Sequence, residues 1–196
     1  MLIFYPLGNI INLLLFFAMF VAGSLFIASA GTIKYESIYG YAEVEFDDTL
    51  QGAFVYWLFG FLWIAEFASA VGFMVVAFCF AMWFFAPKKG GATARTTERV
   101  MEGWPICTAI RLTMCHHLGT CAAGSLIIAI IQMLRIMLEY LDTKKKEIEE
   151  AGVVPCMCLW DFVFCCCRCC LWCMEKCMKY INKVAYIFTV HTALMH

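Results

Sequence analysis

The sequence predicts an all-α protein, a polytopic bundle of transmembrane helices with three to four spans plus an interfacial C-terminal helix. Hydrophobic residues make up 64% of the 196 positions and charged residues 15%, whereas a globular domain is about 45–50% apolar and about 25% charged. A soluble fold of roughly this length buries only about 70% of its surface, so lipid must cover the remaining apolar groups. We therefore expect one membrane domain over residues 1–196, with the lipid bilayer as its partner.

The first two spans are predicted from long stretches with almost no charge. Residues 10–31 carry none, and about 20 apolar residues suffice to cross the hydrocarbon core. Residues 32–51, with one lysine and five acids, read as a polar loop. Residues 52–86 hold a single charge, Glu66. This segment exceeds the length a span needs, so tilt, a kink at Gly72 or extension past the headgroups must absorb the excess.

The connector between the second and third spans predicts the orientation of the chain. Residues 87–117 contain five basic and two acidic residues outside the histidines. Short loops rich in lysine and arginine stay in the cytoplasm. We therefore expect this connector inside the cell and the acidic loop outside.

The third span is predicted at residues 118–141. It begins with small residues, which allow helices to approach closely in lipid. Arg135 near its far end is expected to reach the headgroups. The charged segment 142–152 has i,i+4 pairs that favour continuation of the helix.

The last part of the chain leaves two interpretations open. Residues 153–174 are apolar apart from Asp161 and Arg168, which we expect at separate interfacial positions. This segment is either a fourth span or a helix lying along the membrane surface, and the topology favours a span because the chain must return. The tail, 175–196, mixes lysines with apolar residues and predicts an interfacial helix.

Several blocks, in order and at compatible spacing, resemble the choline transporter-like protein family. They are WIAEF at 63–67, HLGT at 117–120, GSLIIA at 124–129 with Gln132, RIMLEYLD at 135–142, CLWCMEKC at 170–177 and YINKVAYI at 180–187. Together they cover roughly residues 52–190. Members of that family are much longer, with about ten membrane helices, so the resemblance implies a fragment from the middle to late part of such a protein.

The resemblance also implies a function. It implies residence in the plasma membrane, or alternatively an organellar membrane, and transmembrane transport of choline or ethanolamine, with proton exchange as one mode of coupling. The alternative is a non-transporting, truncated membrane protein that packs with or regulates a full-length partner, whose helices would then be its neighbours.

Glu66 is the main candidate for a substrate-binding residue. By helical rise it lies about 21 Å into the second span, where an acid costs about 2.5–3.5 kcal/mol and normally faces other helices. Phe59, Trp63 and Phe73 share its helical stripe, and aromatic faces with a carboxylate are suited to a quaternary ammonium ion. Gln132 is the expected polar neighbour, since Arg135 lies nearer the outer end. The alternative is that Glu66 serves packing alone.

Other reactive residues support no enzyme. Nine of the 13 cysteines fall between residues 156 and 177, and their spacing lacks the separated pairs of a zinc site. One helical stripe offers lipidation (palmitoylation) candidates, with simple packing as the alternative: Cys166, Cys170, Cys173 and Cys177. His116 and His117 are expected to be interfacial. We expect no catalytic residue, no metal and no cofactor, and the net charge of −1 argues against a nucleic-acid partner.

Overall fold

The computed structural model describes residues 4–36, 41–45, 47–86, 104–150 and 158–195. This part of the chain is almost entirely helical, which confirms the predicted all-α class. Its elements, in chain order, are α1 (Phe4–Ser29), β1 (Thr32–Glu36), β2 (Tyr41–Glu45), α2 (Asp48–Phe85), α3 (Pro105–His116), α4 (Leu118–Glu150) and α5 (Cys158–Met195). The chain divides into two compact units, Met1–Ala65 and Glu66–His196.

Three of the described helices are long and apolar enough to cross a bilayer: Ile10–Ser29, Asp48–Phe85 and Leu118–Lys146. They overlap the three spans that the sequence predicts, at 10–31, 52–86 and 118–141. Helix α2 has 38 residues, or about 57 Å at about 1.5 Å per residue, and so extends beyond a hydrocarbon core of about 30 Å.

Part of the predicted polar loop between the first two spans is a hairpin. Strands β1 and β2 pair antiparallel, with Ile33 opposite Val44 and Lys34 opposite Glu43. Strand β1 and residues 42–45 of β2 alternate apolar with polar or charged residues, the period of a strand. The five acids of the segment obscured this pattern. Helix α2 then begins at Asp48, four residues earlier than the predicted span.

The predicted connector contains a helix that the sequence reading missed. Helix α3 begins at Pro105, since proline is well suited to the first position of a helix, and its Ala109 and Thr113 are buried. It ends where the backbone N–H of His117 donates to the carbonyl of Thr113 at 3.1 Å. The first part of the predicted connector, 87–103, lies outside the described residues, and α2 ends just before it, at Phe85.

In the first unit, α1 packs on α2 through an aromatic group around a glycine. The ring centroid of Trp57 lies 5.0 Å from that of Phe20 and 5.7 Å from that of Phe61. A Cβ atom on Gly23 would lie 2.4 Å from Trp57 Cζ2, so the indole ring takes the space of any side chain there.

In the second unit, α5 runs antiparallel to α4. Arg168 Nη2 lies 3.0 Å from Asp142 Oδ2, and Lys145 pairs with Asp161. Toward the other end, Asn182 Nδ2 donates to the carbonyl of Gly124 at 2.8 Å. Asp161 and Arg168 thus hold separate positions, each paired with α4 in a contact that the sequence reading did not foresee.

Helix α5 is continuous across the predicted boundary between residues 174 and 175. It packs along α4 from Asp161, which pairs with Lys145, to Asn182, which bonds to Gly124. The paired part of α4 lies within its candidate span, Leu118–Lys146. That residues 153–174 span the membrane stays a prediction, which this antiparallel pairing supports. The buried core of the unit joins these two helices to α2 and α3, at Met74, Phe78, Ala109, Cys121, Tyr186 and Val190.

Candidate functional site

A group of charged and polar side chains connects α2, α4 and α5. Glu66 Oε1 on α2 accepts a hydrogen bond from Gln132 Nε2 on α4 at 2.6 Å. The same oxygen lies 2.9 Å from Lys179 Nζ on α5. One carboxylate oxygen therefore links all three helices.

A second carboxylate, Glu175 on α5, completes this group. Lys179 Nζ lies 3.0 Å from Glu175 Oε1, and Gln132 Nε2 donates to the same oxygen at 3.4 Å. The other oxygen, Oε2, accepts from Arg135 Nη1 at 3.1 Å. Arg135 Nε also lies 3.6 Å from Glu139 Oε1, one turn along α4. We call Glu66, Gln132, Arg135, Glu175 and Lys179 the polar cluster.

The polar cluster is balanced in charge, and its two carboxylates are largely buried. Its two carboxylates face one ammonium and one guanidinium, which gives a formal sum of zero. The side chain of Glu175 is 10% exposed and that of Glu66 is 20% exposed. Ionisable groups within a bilayer normally face other helices and pair with one another, and the cluster meets both conditions.

The structure brings together some of the predicted site residues. Gln132 contacts Glu66, as predicted. Phe73, two turns from Glu66 on α2, lies with its ring centroid 6.4 Å from that of Tyr186. Lys183 Nζ lies 6.0 Å from the centroid of the Phe73 ring, within reach of a cation–π interaction.

Trp63 and Phe59 lie on the part of α2 that belongs to the first unit. Trp63 is 37% exposed. Their place on the helical stripe of Glu66 follows from spacing alone, and their role in binding stays a prediction.

The sequence reading missed Glu175, Lys179 and Arg135 as members of the site. Arg135 was expected to reach the headgroups, but it binds Glu175 instead. Glu175 and Lys179 fell in the tail that reads as interfacial. Glu175 and Lys179 have i,i+4 spacing, as do Arg135 and Glu139. This spacing could have indicated the two ion pairs, because such residues share one helical face.

Beyond the polar cluster, α4 and α5 are in close contact at Gly124. A Cβ atom there would lie 2.5 Å from Tyr186 Oη and 3.0 Å from Asn182 Nδ2. Tyr186 is 4% exposed, and among the described residues its hydroxyl has no hydrogen-bond partner. The small residues of α4 thus allow the close approach at Gly124, whereas a Cβ on Gly119 would meet nothing within 4 Å.

The four lipidation candidates are exposed along α5: Cys166, Cys170, Cys173 and Cys177. They occupy the part of α5 that pairs with residues 132–142 of α4, the end away from the connector. Lipidation at cytosolic thiols would require this end of α4 to face the cytosol, opposite to the orientation predicted from loop charge. These two predictions therefore exclude each other.

The two histidines of the connector lie at the junction of α3 and α4. The His117 ring centroid lies 5.6 Å from that of Phe78. Burial, and then the neighbouring His116, lower the pKa of His117 below its usual value. His117 is therefore neutral at physiological pH.

Comparison with known proteins identifies the family. The family model described as "Plasma-membrane choline transporter" matches residues 1–193, so the relationship extends through the first helix as well as the blocks at 52–190. Choline transporter-like protein 1 of Torpedo marmorata is 34% identical over 188 residues, which cover 96% of this chain and 26% of the relative. Choline transporter-like protein 2 of Danio rerio is 37% identical over 132 residues, 67% of this chain and 17% of the relative.

This chain belongs to the choline transporter family. It is a membrane protein with helices that suit a bilayer, and its relatives are named as transporter-like proteins rather than enzymes. The chain spans about a quarter or less of the length of these relatives.

Proposed function

We propose that this chain takes part in the transport of choline or a related amine such as ethanolamine across the plasma membrane, and that its polar cluster recognises the amine. The observation that carries the proposal is the buried carboxylate of Glu66, which is held between three helices by Gln132 and Lys179. The family and the names of its members support choline as the substrate.

The chemistry of the cluster suits a cation. At an effective dielectric constant of about 20, two unit charges about 4 Å apart attract by about 4 kcal/mol. A quaternary ammonium ion gains further from aromatic faces, by about 0.5–2 kcal/mol for each ring. Phe73 supplies one such ring within two turns of Glu66, and it already has the lysine ammonium of Lys183 above it.

Equilibrium binding of tritiated choline to the chain in lipid nanodiscs tests the proposal. Glu66→Gln keeps the shape of the side chain and removes its charge, so we expect at least about tenfold weaker binding, which corresponds to about 1.4 kcal/mol. Glu139→Gln is the matched control, because its carboxylate is half exposed and, in the described part of the chain, contacts the cluster through Arg135. Unchanged affinity in Glu66→Gln would overturn the proposed role of this residue.

The aromatic part of the site needs separate variants. Phe73→Leu and Trp63→Leu remove a ring while retaining an apolar side chain. If either ring contacts the ammonium group, choline binding weakens more than binding of ethanolamine, because a primary ammonium depends more on hydrogen bonds. Equal losses for both amines would indicate a packing role for that ring.

The alternative function is a non-transporting membrane protein that packs with or regulates a full-length relative. The observation that favours it is the apolar outer face of α1, where Leu13, Phe17 and Phe26 are all more than half exposed. Choline uptake separates the two functions when it is measured in cells with and without a full-length relative, each with and without this chain. The alternative is supported if this chain changes uptake only in cells that express the relative and if the chain alone does not bind choline.

A further inference from the structure

The position of Lys179 is unusual for a site that is to receive a cation. Its ammonium group lies between two carboxylates on different helices, 2.9 Å from Glu66 Oε1 and 3.0 Å from Glu175 Oε1. A cationic substrate that approaches Glu66 therefore meets a cation of the protein already bound there.

Charge balance makes simultaneous binding unfavourable. Glu66 and Glu175 are already matched by Lys179 and Arg135, and Glu139 beside Arg135 is half exposed, so a bound amine would leave one positive charge without a buried counter-charge. An unpaired charge at the middle of a membrane helix costs about 2.5–3.5 kcal/mol on insertion scales. One of the two cations of the cluster must move away from the carboxylates when an amine enters.

Lys179 is the cation that must move, because its ammonium is the one that contacts Glu66. This ammonium is carried on a flexible four-carbon stem, and the side chain is 34% exposed. Arg135 contacts Glu175 and Glu139. When Lys179 turns outward, Glu66 keeps its hydrogen bond from Gln132 and remains oriented.

We propose that Lys179 is a tethered competitor of the amine substrate at Glu66 and occupies the position of the substrate's ammonium group until an amine displaces it. This inference rests on the proposed function. It also bears on substrate preference, because Lys179 donates N–H bonds to both carboxylates. A primary ammonium replaces those bonds, whereas a quaternary ammonium has no N–H group and must compensate by cation–π contact.

Choline affinity of two charge variants in nanodiscs tests the proposal. Removal of the competitor in Lys179→Gln is expected to tighten choline binding by about three- to tenfold, where tenfold corresponds to 1.4 kcal/mol. Lys179→Arg keeps the charge and is expected to bind choline about as the unchanged chain does. Lys176→Gln is the matched control, since Lys176 lies one turn away with its Nζ 5.7 Å from the centroid of the Trp172 ring.

A measurement on the unchanged chain removes the dependence on correctly folded variants. Amine acylation by a water-soluble succinimidyl ester, quantified by mass spectrometry, reports how free each lysine is. Saturating choline is expected to increase labelling of Lys179 several-fold, with labelling of Lys176 unchanged.

The outcomes separate this inference from the proposed function. Tighter choline binding in Lys179→Gln with increased labelling of Lys179 supports it. Choline binding that depends on Glu66, combined with equal or weaker binding in Lys179→Gln or unchanged labelling, overturns the inference and leaves the proposed function standing. No choline binding in any variant overturns both.

Discussion

The contact at Gly124 gives the sharpest prediction about stability. A Cβ atom at this position would lie 2.5 Å from Tyr186 Oη, 3.0 Å from Asn182 Nδ2 and 3.1 Å from Asn182 Cγ. Tyr186 is buried and cannot turn away freely. Gly124→Ala therefore forces α4 and α5 apart or displaces two side chains at once.

The magnitude follows from two opposing effects. Overpacking of a well-packed interior costs about 1–3 kcal/mol, while replacing glycine by alanine within a helix gains up to about 1 kcal/mol. We expect a net loss of about 1–2 kcal/mol in the free energy of unfolding. At about 2–4 °C per kcal/mol for a chain of this size, Tm falls by roughly 2–8 °C.

Thermal unfolding of the purified chain in detergent measures this loss, and two further variants identify its cause. Gly119→Ala is the matched control on the same helix, because a Cβ there meets nothing within 4 Å, and its Tm is expected to stay the same or rise. Tyr186→Phe removes the hydroxyl that Gly124→Ala would strike. It is also expected to stabilise the chain by about 1 kcal/mol, since a buried hydroxyl without a partner costs about 1–3 kcal/mol.

The double variant Gly124→Ala/Tyr186→Phe should recover part of the loss, with the contact to Asn182 accounting for the remainder. Coupling between residues in contact is about 0.5–3 kcal/mol. Equal stability of Gly124→Ala and Gly119→Ala, or no recovery in the double variant, would refute the proposed packing of α4 on α5.

Three other predictions follow from the same structure. Gly23→Ala should lower the free energy of unfolding by about 1–2 kcal/mol, the cost of overpacking less the helix-propensity gain, because its Cβ would strike Trp57. Gly52→Ala, with open space around it, is the control in the same thermal unfolding measurement. Because the folded-state pKa of His117 is lowered, its contribution to stability is present above its ordinary pKa of about 6.5 and is lost as pH falls toward the folded-state value. Urea titrations at pH 7.5 and 5.5 should show a smaller loss on acidification in His117→Gln than in the unchanged chain, and equal losses would contradict this. Two measurements on cells that express the chain test the orientation: acyl exchange for lipidated cysteines of α5, and mapping of the side that the connector faces. We expect either acylated α5 cysteines or a cytosolic connector. Finding both would contradict the antiparallel pairing of α4 and α5.

The sequence predicts the long apolar helices well because each rests on hydropathy within one segment. The three long apolar segments, and the single charged residue Glu66 within the second of them, can each be recognised without knowledge of the rest of the chain. The pairing of Glu66 with Gln132 could also be predicted, because helical rise places both away from the ends of their spans. The hairpin was missed because the five acids of its segment favoured a polar loop. Helix α3 was missed because the basic residues of its segment favoured a cytoplasmic connector.

The remainder of the site depends on how helices are rotated against one another. Glu175 and Lys179 lie in a segment of mixed polarity, and only the packing of α5 on α4 turns them toward Glu66. The small residues of α4 predicted a close approach without specifying Gly124 rather than Gly119. That choice depends on the position of Tyr186, which lies in another helix.

The central claim is that Glu66 and Lys179, on different helices, form one ion pair within the membrane region of the protein. A double-mutant cycle of Glu66→Gln and Lys179→Gln, measured as free energy of unfolding in detergent, tests it most directly. Each single variant removes one partner of the ion pair and leaves the other charge without it. We therefore predict that the double variant loses less free energy of unfolding than the two single variants added together, by at least about 0.5 kcal/mol. Strictly additive losses would contradict the account.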